Sequence, residues 1–101
     1  MASRTELQAF LESLLGSKEV FFQAPESTKM KYPAIKYSLS GFDKKHANNK
    51  IYGSMTRYDI ILMDWDPDSE FVDKLNNVQY CSFDRYYPVN GLNHWLFTLY
   101  W

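Results

Sequence analysis

Five carboxylates crowd one short stretch of this chain: Asp64, Asp66, Asp68, Glu70 and Asp73. Alternating acids of this kind open a calcium loop of the EF-hand type, which takes ligands at its positions one, three and five. Asp64, Asp66 and Asp68 fit those positions. The glycine required at position six is Ser69, however, and the bidentate glutamate of position twelve is Leu75. Pro67 gives a simpler account. With Asp66 as N-cap and Pro67 at the first helical position, Asp68 and Glu70 lie beside the positive end of a helix. The run therefore reads as helix capping, and neither a metal nor another cofactor is expected.

Other reactive residues are sparse. His46 and His94 are the two histidines, and neither has a Cys or His at metal-ligand spacing. Cys81 is the single cysteine, so no intrachain disulfide can form, and its expected role is that of a small buried hydrophobe. It lies far along its strand from His94, which argues against a Cys–His nucleophile pair. The chain has no Gly-rich phosphate loop, no Gly-x-Ser-x-Gly elbow and no His-Glu-x-x-His. A non-enzyme is expected, with no catalytic, cofactor-binding or metal-binding residues.

Charge offers one more candidate. Lys44, Lys45, His46 and Lys50 form the densest basic cluster, and Lys29, Lys31 and Lys36 a second. Such runs are ordinarily solvated loops. The functional alternative is a hairpin tip that reaches a neighbouring subunit or faces DNA in a channel. Sequence-specific recognition is not expected, because no interleaved basic and aromatic signature is present. The overall balance of 11 basic and 12 acidic residues implies no bulk attraction to nucleic acid or lipid.

A chain of 101 residues is expected to form one domain, 1–101, with one core. Three Trp, eight Tyr and seven Phe are more large rings than so small a core holds, and the surplus reads as a subunit interface. Tyr86, Trp95 and Trp101 are the rings expected there, together with Lys44, Lys45, His46 and Lys50. No apolar run approaches the roughly 20 residues that span a bilayer, so no membrane is expected. The lone cysteine and the absence of a signal-like start fit the cytoplasm.

The elements that must position these residues follow from period and punctuation. Ser3 and Glu6 have capping-box spacing, and Leu7, Phe10, Leu11, Leu14 and Leu15 form one apolar stripe, which predicts a helix over 4–15 stopped by Gly16. Val20 to Phe22 reads as a short strand. Ile35, Tyr37 and Leu39 alternate with polar residues and predict a strand ended by Gly41. Residues 42–50 read as a polar connection at the tip of a long projecting hairpin. The next strand starts near Ile51 and extends as far as Trp65, with Tyr58, Ile60 and Leu62 on its buried side. Phe71, Val72 and Leu75 mark the second helix. Two strands, 78–87 and 92–101, flank the turn residues Asn90 and Gly91. That turn predicts the pairs Tyr87 with His94, Tyr86 with Trp95, Asp84 with Phe97 and Cys81 with Tyr100. Leu11, Tyr58, Ile60, Leu62, Phe71 and Leu75 are expected to share one core. The fold class is α+β, a mainly antiparallel sheet with two helices in the order α-β-β-β-α-β-β.

Several blocks taken together resemble a known group of proteins. They are Val20-Phe21-Phe22-Gln23-x-Pro25-Glu26-Ser27, Met30-Lys31-Tyr32-Pro33-Ala34-Ile35-x-Tyr37, Thr56-Arg57-Tyr58, Asp66-Pro67-Asp68-Ser69-Glu70, Tyr80-Cys81-Ser82-Phe83-Asp84-Arg85, and Leu92-Asn93-His94 with Phe97-Thr98-Leu99-Tyr100. Across nearly its whole length the chain resembles small proteins encoded among the head–tail structural genes of long-tailed bacteriophages and prophages. Its element order is similar to that of the tail terminator (tail completion) proteins, whose members form hexameric rings that cap the tail tube. The resemblance implies a tail-terminator-like fold and a virion structural protein of the tail or neck, made in the bacterial host cytoplasm. It implies a homo-oligomer, a hexameric ring, as the working form. The implied partners are the tail tube protein and the head connector or head-closure protein, with DNA passing close by without specific contact. No active site carries over. A head-closure or other neck protein, or a small non-structural phage binding or regulatory module, remains the alternative.

Overall fold

Leu7, Leu11 and Leu15 recur every fourth residue, and in the computed structural model they form the buried stripe of helix α1, Arg4–Leu15. The structure describes residues 4–25, 29–47 and 50–101, with the backbone alone at 42–47 and 50–55; Ser3 of the expected capping box lies outside the described residues. Gly16 ends α1 with φ +77°, its N–H donating to the Glu12 carbonyl at 2.9 Å. That left-handed conformation favours glycine.

Strand β1, Val20–Phe22, pairs in parallel with β2, Ala34–Ala47, matching Val20 to Ile35. The other pairings are antiparallel. They join β2 to β3 (Lys50–Asp64), β3 to β5 (Leu92–Tyr100), and β5 to β4 (Cys81–Val89). The sheet order is β1-β2-β3-β5-β4, and helix α2, Glu70–Asn76, joins β3 to β4. The expected α+β class, element order and mainly antiparallel sheet are all present.

Three local expectations are corrected. First, β2 does not stop at Gly41. A bulge between Leu39 and Gly41 carries the strand onward, and the ladder with β3 runs to Ala47↔Lys50. The expected connection over 42–50 is therefore strand on both sides. Its polar residues show no apolar alternation, the signal by which a strand is read from sequence. Gly41 serves close approach instead: a Cβ there would meet Arg57 Nη2 at 2.8 Å. Arg57 crosses that gap to donate to Ser40, Nε to Oγ at 3.2 Å and Nη2 to the carbonyl at 3.3 Å.

Second, α2 begins at Glu70 after Ser69, not at Asp66–Pro67. The aspartates cap turns rather than the helix. Asp64 Oδ1 accepts from the Asp66 N–H at 3.1 Å, and Asp66 Oδ1 from the Asp68 N–H at 2.9 Å. An aspartate readily takes the N–H two residues on, and here that local bond outcompetes helix initiation.

Third, the β4–β5 hairpin keeps its expected register only near the turn. Asn90 and Gly91 have φ +51° and +82°, and Tyr87↔His94 and Tyr86↔Trp95 pair as expected. A bulge between Phe83 and Arg85 then shifts the ladder, so Phe83, not Asp84, opposes Phe97, and Cys81 opposes Leu99 rather than Tyr100. The cause is Phe97, which is fully buried. The extra residue sets the half-exposed Phe83 ring, rather than an aspartate, against it, edge-on at 5.6 Å.

Both helices lie on one face of the sheet. Leu7, Leu11 and Leu75 pack there against Ile35, Tyr37, Ile60, Leu62, Phe97 and Leu99, all essentially inaccessible. Tyr58 joins this core and Phe71 packs against it half-buried, as expected. Each fully buried Leu or Ile contributes roughly 1.5–3 kcal/mol. A polar tether fixes α1 to the sheet: the Tyr37 hydroxyl donates to Gln8 Oε1 at 2.6 Å, and Gln8 Nε2 donates to the Val20 carbonyl at 2.9 Å. Among the described residues, no helix is long and apolar enough to cross a membrane.

Candidate interaction surfaces

Strand pairing lays the second face of the sheet out as rows. The first row runs Ala34, Met63, His94, Tyr87; the second Lys36, Ile61, Leu96, Arg85; the third Ser38, Asp59, Thr98, Ser82. Among the described residues between β1 and β2, Met30 and Tyr32 pack over one end of this face, on Ala34, Met63 and Leu92. Ile61 and Leu96 remain half-buried in the second row, with Lys36 on one side and Arg85 on the other.

Two neighbouring clefts occupy this face. One of about 490 Å³ lies among Ser38, Asp59, Ile61, Arg85, Tyr87 and Leu96. The other, about 620 Å³, is lined by Tyr32, Lys36, Met63 and His94 among others, and shares Ile61 and Tyr87 with the first. Tyr87 and His94 stack face to face, 4.9 Å apart with 13° between their planes. His94 Nδ1 lies 3.0 Å from the Leu92 carbonyl, which can only accept, so this nitrogen carries the proton. Arg85 has one weak partner, Asp84 at 3.8 Å, and both side chains are well exposed.

The surplus rings concentrate on and around β4. Phe83 and Tyr86 are 48% and 46% exposed on the helix side, and Tyr80 and Tyr87 also reach solvent. A cleft of about 290 Å³ separates Phe83 and Tyr86 from Val72 and Asn76 of α2. Of the rings expected at an interface, Tyr86 is thus accessible. Trp95, at 7% exposure, is core and offers a partner little of its surface. Trp101 is half-buried, packs on Phe10 with centroids 5.3 Å apart, and lines a cleft of about 450 Å³ with Val78 and Tyr80. Lys44, Lys45, His46 and Lys50 take their places on the distal β2–β3 ladder, and their side chains lie outside the described residues.

Two features have no counterpart in the sequence reading. Trp65 is 57% exposed at the end of β3, touching Tyr32 edge-on at 5.8 Å, with Asp64, Asp66 and Asp68 around it. Asn93 is a buried clamp. Its Nδ2 donates to the Asp64 and Trp65 carbonyls at 3.1 and 3.2 Å, and its Oδ1 accepts from the Tyr86 hydroxyl. The exposed tryptophan beside carboxylates was visible in sequence as a large ring inside a polar turn; nothing in sequence marks the asparagine.

Chemistry at these surfaces is limited. Burial pushes the Cys81 thiol up to about 11, so at neutral pH it is protonated and a poor nucleophile. Burial, and then Tyr37, raise the Tyr58 phenol as well. Among the described residues, no group of three His, Cys, Asp or Glu side chains is placed to hold a metal ion. What the geometry offers is contact area: large rings, an apolar strip between cations, and an acidic corner. No family model, curated protein or solved structure matches the chain.

Proposed function

We propose that this chain is a bacteriophage virion structural protein of the head–tail junction: a ring-forming tail terminator that caps the tail tube and joins it to the head. The observation that carries this reading is the second face of the sheet, which the described residues cover at one end only, with the exposed rings of β4 along its border. A sheet helix-coated on one side only, with this many accessible aromatics, has surface suited to partners.

The distal β2–β3 ladder supports the same reading. Beyond Arg57 and Gly41 it pairs with no third strand among the described residues, and the molecule measures 50 × 22 × 22 Å. A two-stranded ribbon is marginal alone and gains from lying against a neighbour. Its lysines then face an adjacent subunit or the DNA in the channel. The partners in this reading are further copies of the chain, the tail tube protein and the head connector or head-closure protein.

The test replaces residues 43–55, the ladder beyond Phe42↔Thr56, with a short glycine-containing turn and compares melting with particle assembly. An unchanged fold with defective tail capping or head joining is expected, since among the described residues this part of the ladder pairs with no third strand. Normal infectious particles from this variant would return the basic cluster to a solvated tip.

A further inference from the structure

We propose that the uncovered sheet face receives the Trp65 corner of a second copy of this chain, in a head-to-tail contact. The inference rests on the ring reading above and names the surfaces by which copies meet.

The two surfaces complement each other in shape and sign. The face offers a half-buried apolar strip, Ile61 and Leu96, with Lys36 at one end and Arg85 at the other. The cleft above it, about 490 Å³, has the size of a pocket that takes a large side chain. The corner offers Trp65, the most exposed large hydrophobic side chain among the described residues, with Asp66 and Asp68, one and three residues further along the chain, exposed as well. Among the described residues, neither these two carboxylates nor Lys36 has an ion-pair partner, and Arg85 has only the loose contact with Asp84. Among the described residues lining that cleft Asp59 is the one acid, beside Ser38 in the next row.

A tryptophan in an apolar cleft, ringed by charges that find opposite partners, is the usual composition of an energetic centre in a protein interface. The asymmetry of the contact also matters. The corner and the face are different patches of one molecule, so each copy can bind two others, and successive copies close into a ring where the rotation permits. An isologous face-to-face pair lacks this match: a two-fold axis along the strands sets Lys36 over Arg85.

The experiment uses the full chain with light scattering over a range of concentration and salt. Wild type is expected to associate, more weakly as salt rises. Trp65→Ala should raise the dissociation constant about tenfold or more. Its melting temperature, read in parallel, separates this from lost packing on Tyr32. The doubles Lys36→Glu/Arg85→Glu and Asp66→Lys/Asp68→Lys should each fail to self-associate, while their equimolar mixture assembles. Rescue on mixing is not produced by unfolding and supports the contact directly. Wild type that stays monomeric throughout would overturn the contact, and particle assembly still decides the virion role independently. Association unchanged by both charge swaps overturns the contact while leaving the ring reading in place. Loss on Lys44→Glu/Lys45→Glu but not on Lys36→Glu/Arg85→Glu also overturns it and moves the interface to the hairpin arm.

Discussion

The two faces of one sheet differ more than their sequences do. On the helix side, Ile60 and Leu62 are sealed under α1 and α2; one residue away, Ile61 is half-buried over a cleft. All three are large aliphatics on the same strand, so hydrophobicity alone does not decide which is core. The pleat decides, by sending alternate side chains to opposite faces, and the helices then cover only one of them. The difference teaches that the apolar strip of Ile61 and Leu96, only partly packed within the monomer, is informative as a patch rather than residue by residue.

The sharpest way to break that comparison is to truncate neighbours on β3. Ile60→Ala should cost about 2–5 kcal/mol in denaturant unfolding, whereas Ile61→Ala should cost under about 1 kcal/mol. Equal losses would mean that the second face is as well packed as the first. Next in size, Asn93→Ala leaves the Asp64 and Trp65 carbonyls without their donor, and a loss of about 1–3 kcal/mol is expected from the same measurement. An effect within error would show that water replaces the clamp.

A smaller effect is expected from pH. The Cys81 thiol ordinarily titrates near 9.0 and in the folded chain at about 11. The unfolded chain therefore loses this proton first as pH rises. The stabilisation is complete below about 9 and falls away toward 11, with the raised Tyr58 acting in the same direction. Melting followed from pH 8 to 11 should decline less steeply for Cys81→Ala than for wild type; parallel curves would place the thiol in water. The smallest expected effect is none: a chelator should leave the melting temperature where it was, because the Asp64 and Asp66 carboxylates are engaged with backbone N–H groups. A drop of more than a few degrees would restore the metal reading.

Much of the fold was legible because burial and period coincide. The leucine stripe of α1, the alternation of Tyr58, Ile60 and Leu62, and the Asn90-Gly91 turn each led to the observed element. Legibility failed where a local bond overrode a pattern. The Asx turns at Asp64 and Asp66 delayed α2, and the bulge at Asp84 answered a burial state of Phe97 that sequence does not display. The candidate surface was legible only in part. Tyr86 could be named from composition, but the strip of Lys36, Ile61, Leu96 and Arg85 draws on three separate stretches of chain. It exists only once β2, β3, β5 and β4 lie side by side.

The sheet order has a consequence for synthesis. The central strand β3 pairs at once with β2, its neighbour in the chain, but its other edge waits for β5, as in Arg57↔Tyr100. At about 5–20 residues per second, β5 is complete some 2–7 seconds after β3 is. For those seconds the Arg57–Asp64 edge of β3 has no partner within its own chain, while nearby ribosomes on the same message make copies of it. The early appearance of α2, directly after β3, puts a helix over one side of that strand before its last neighbour arrives.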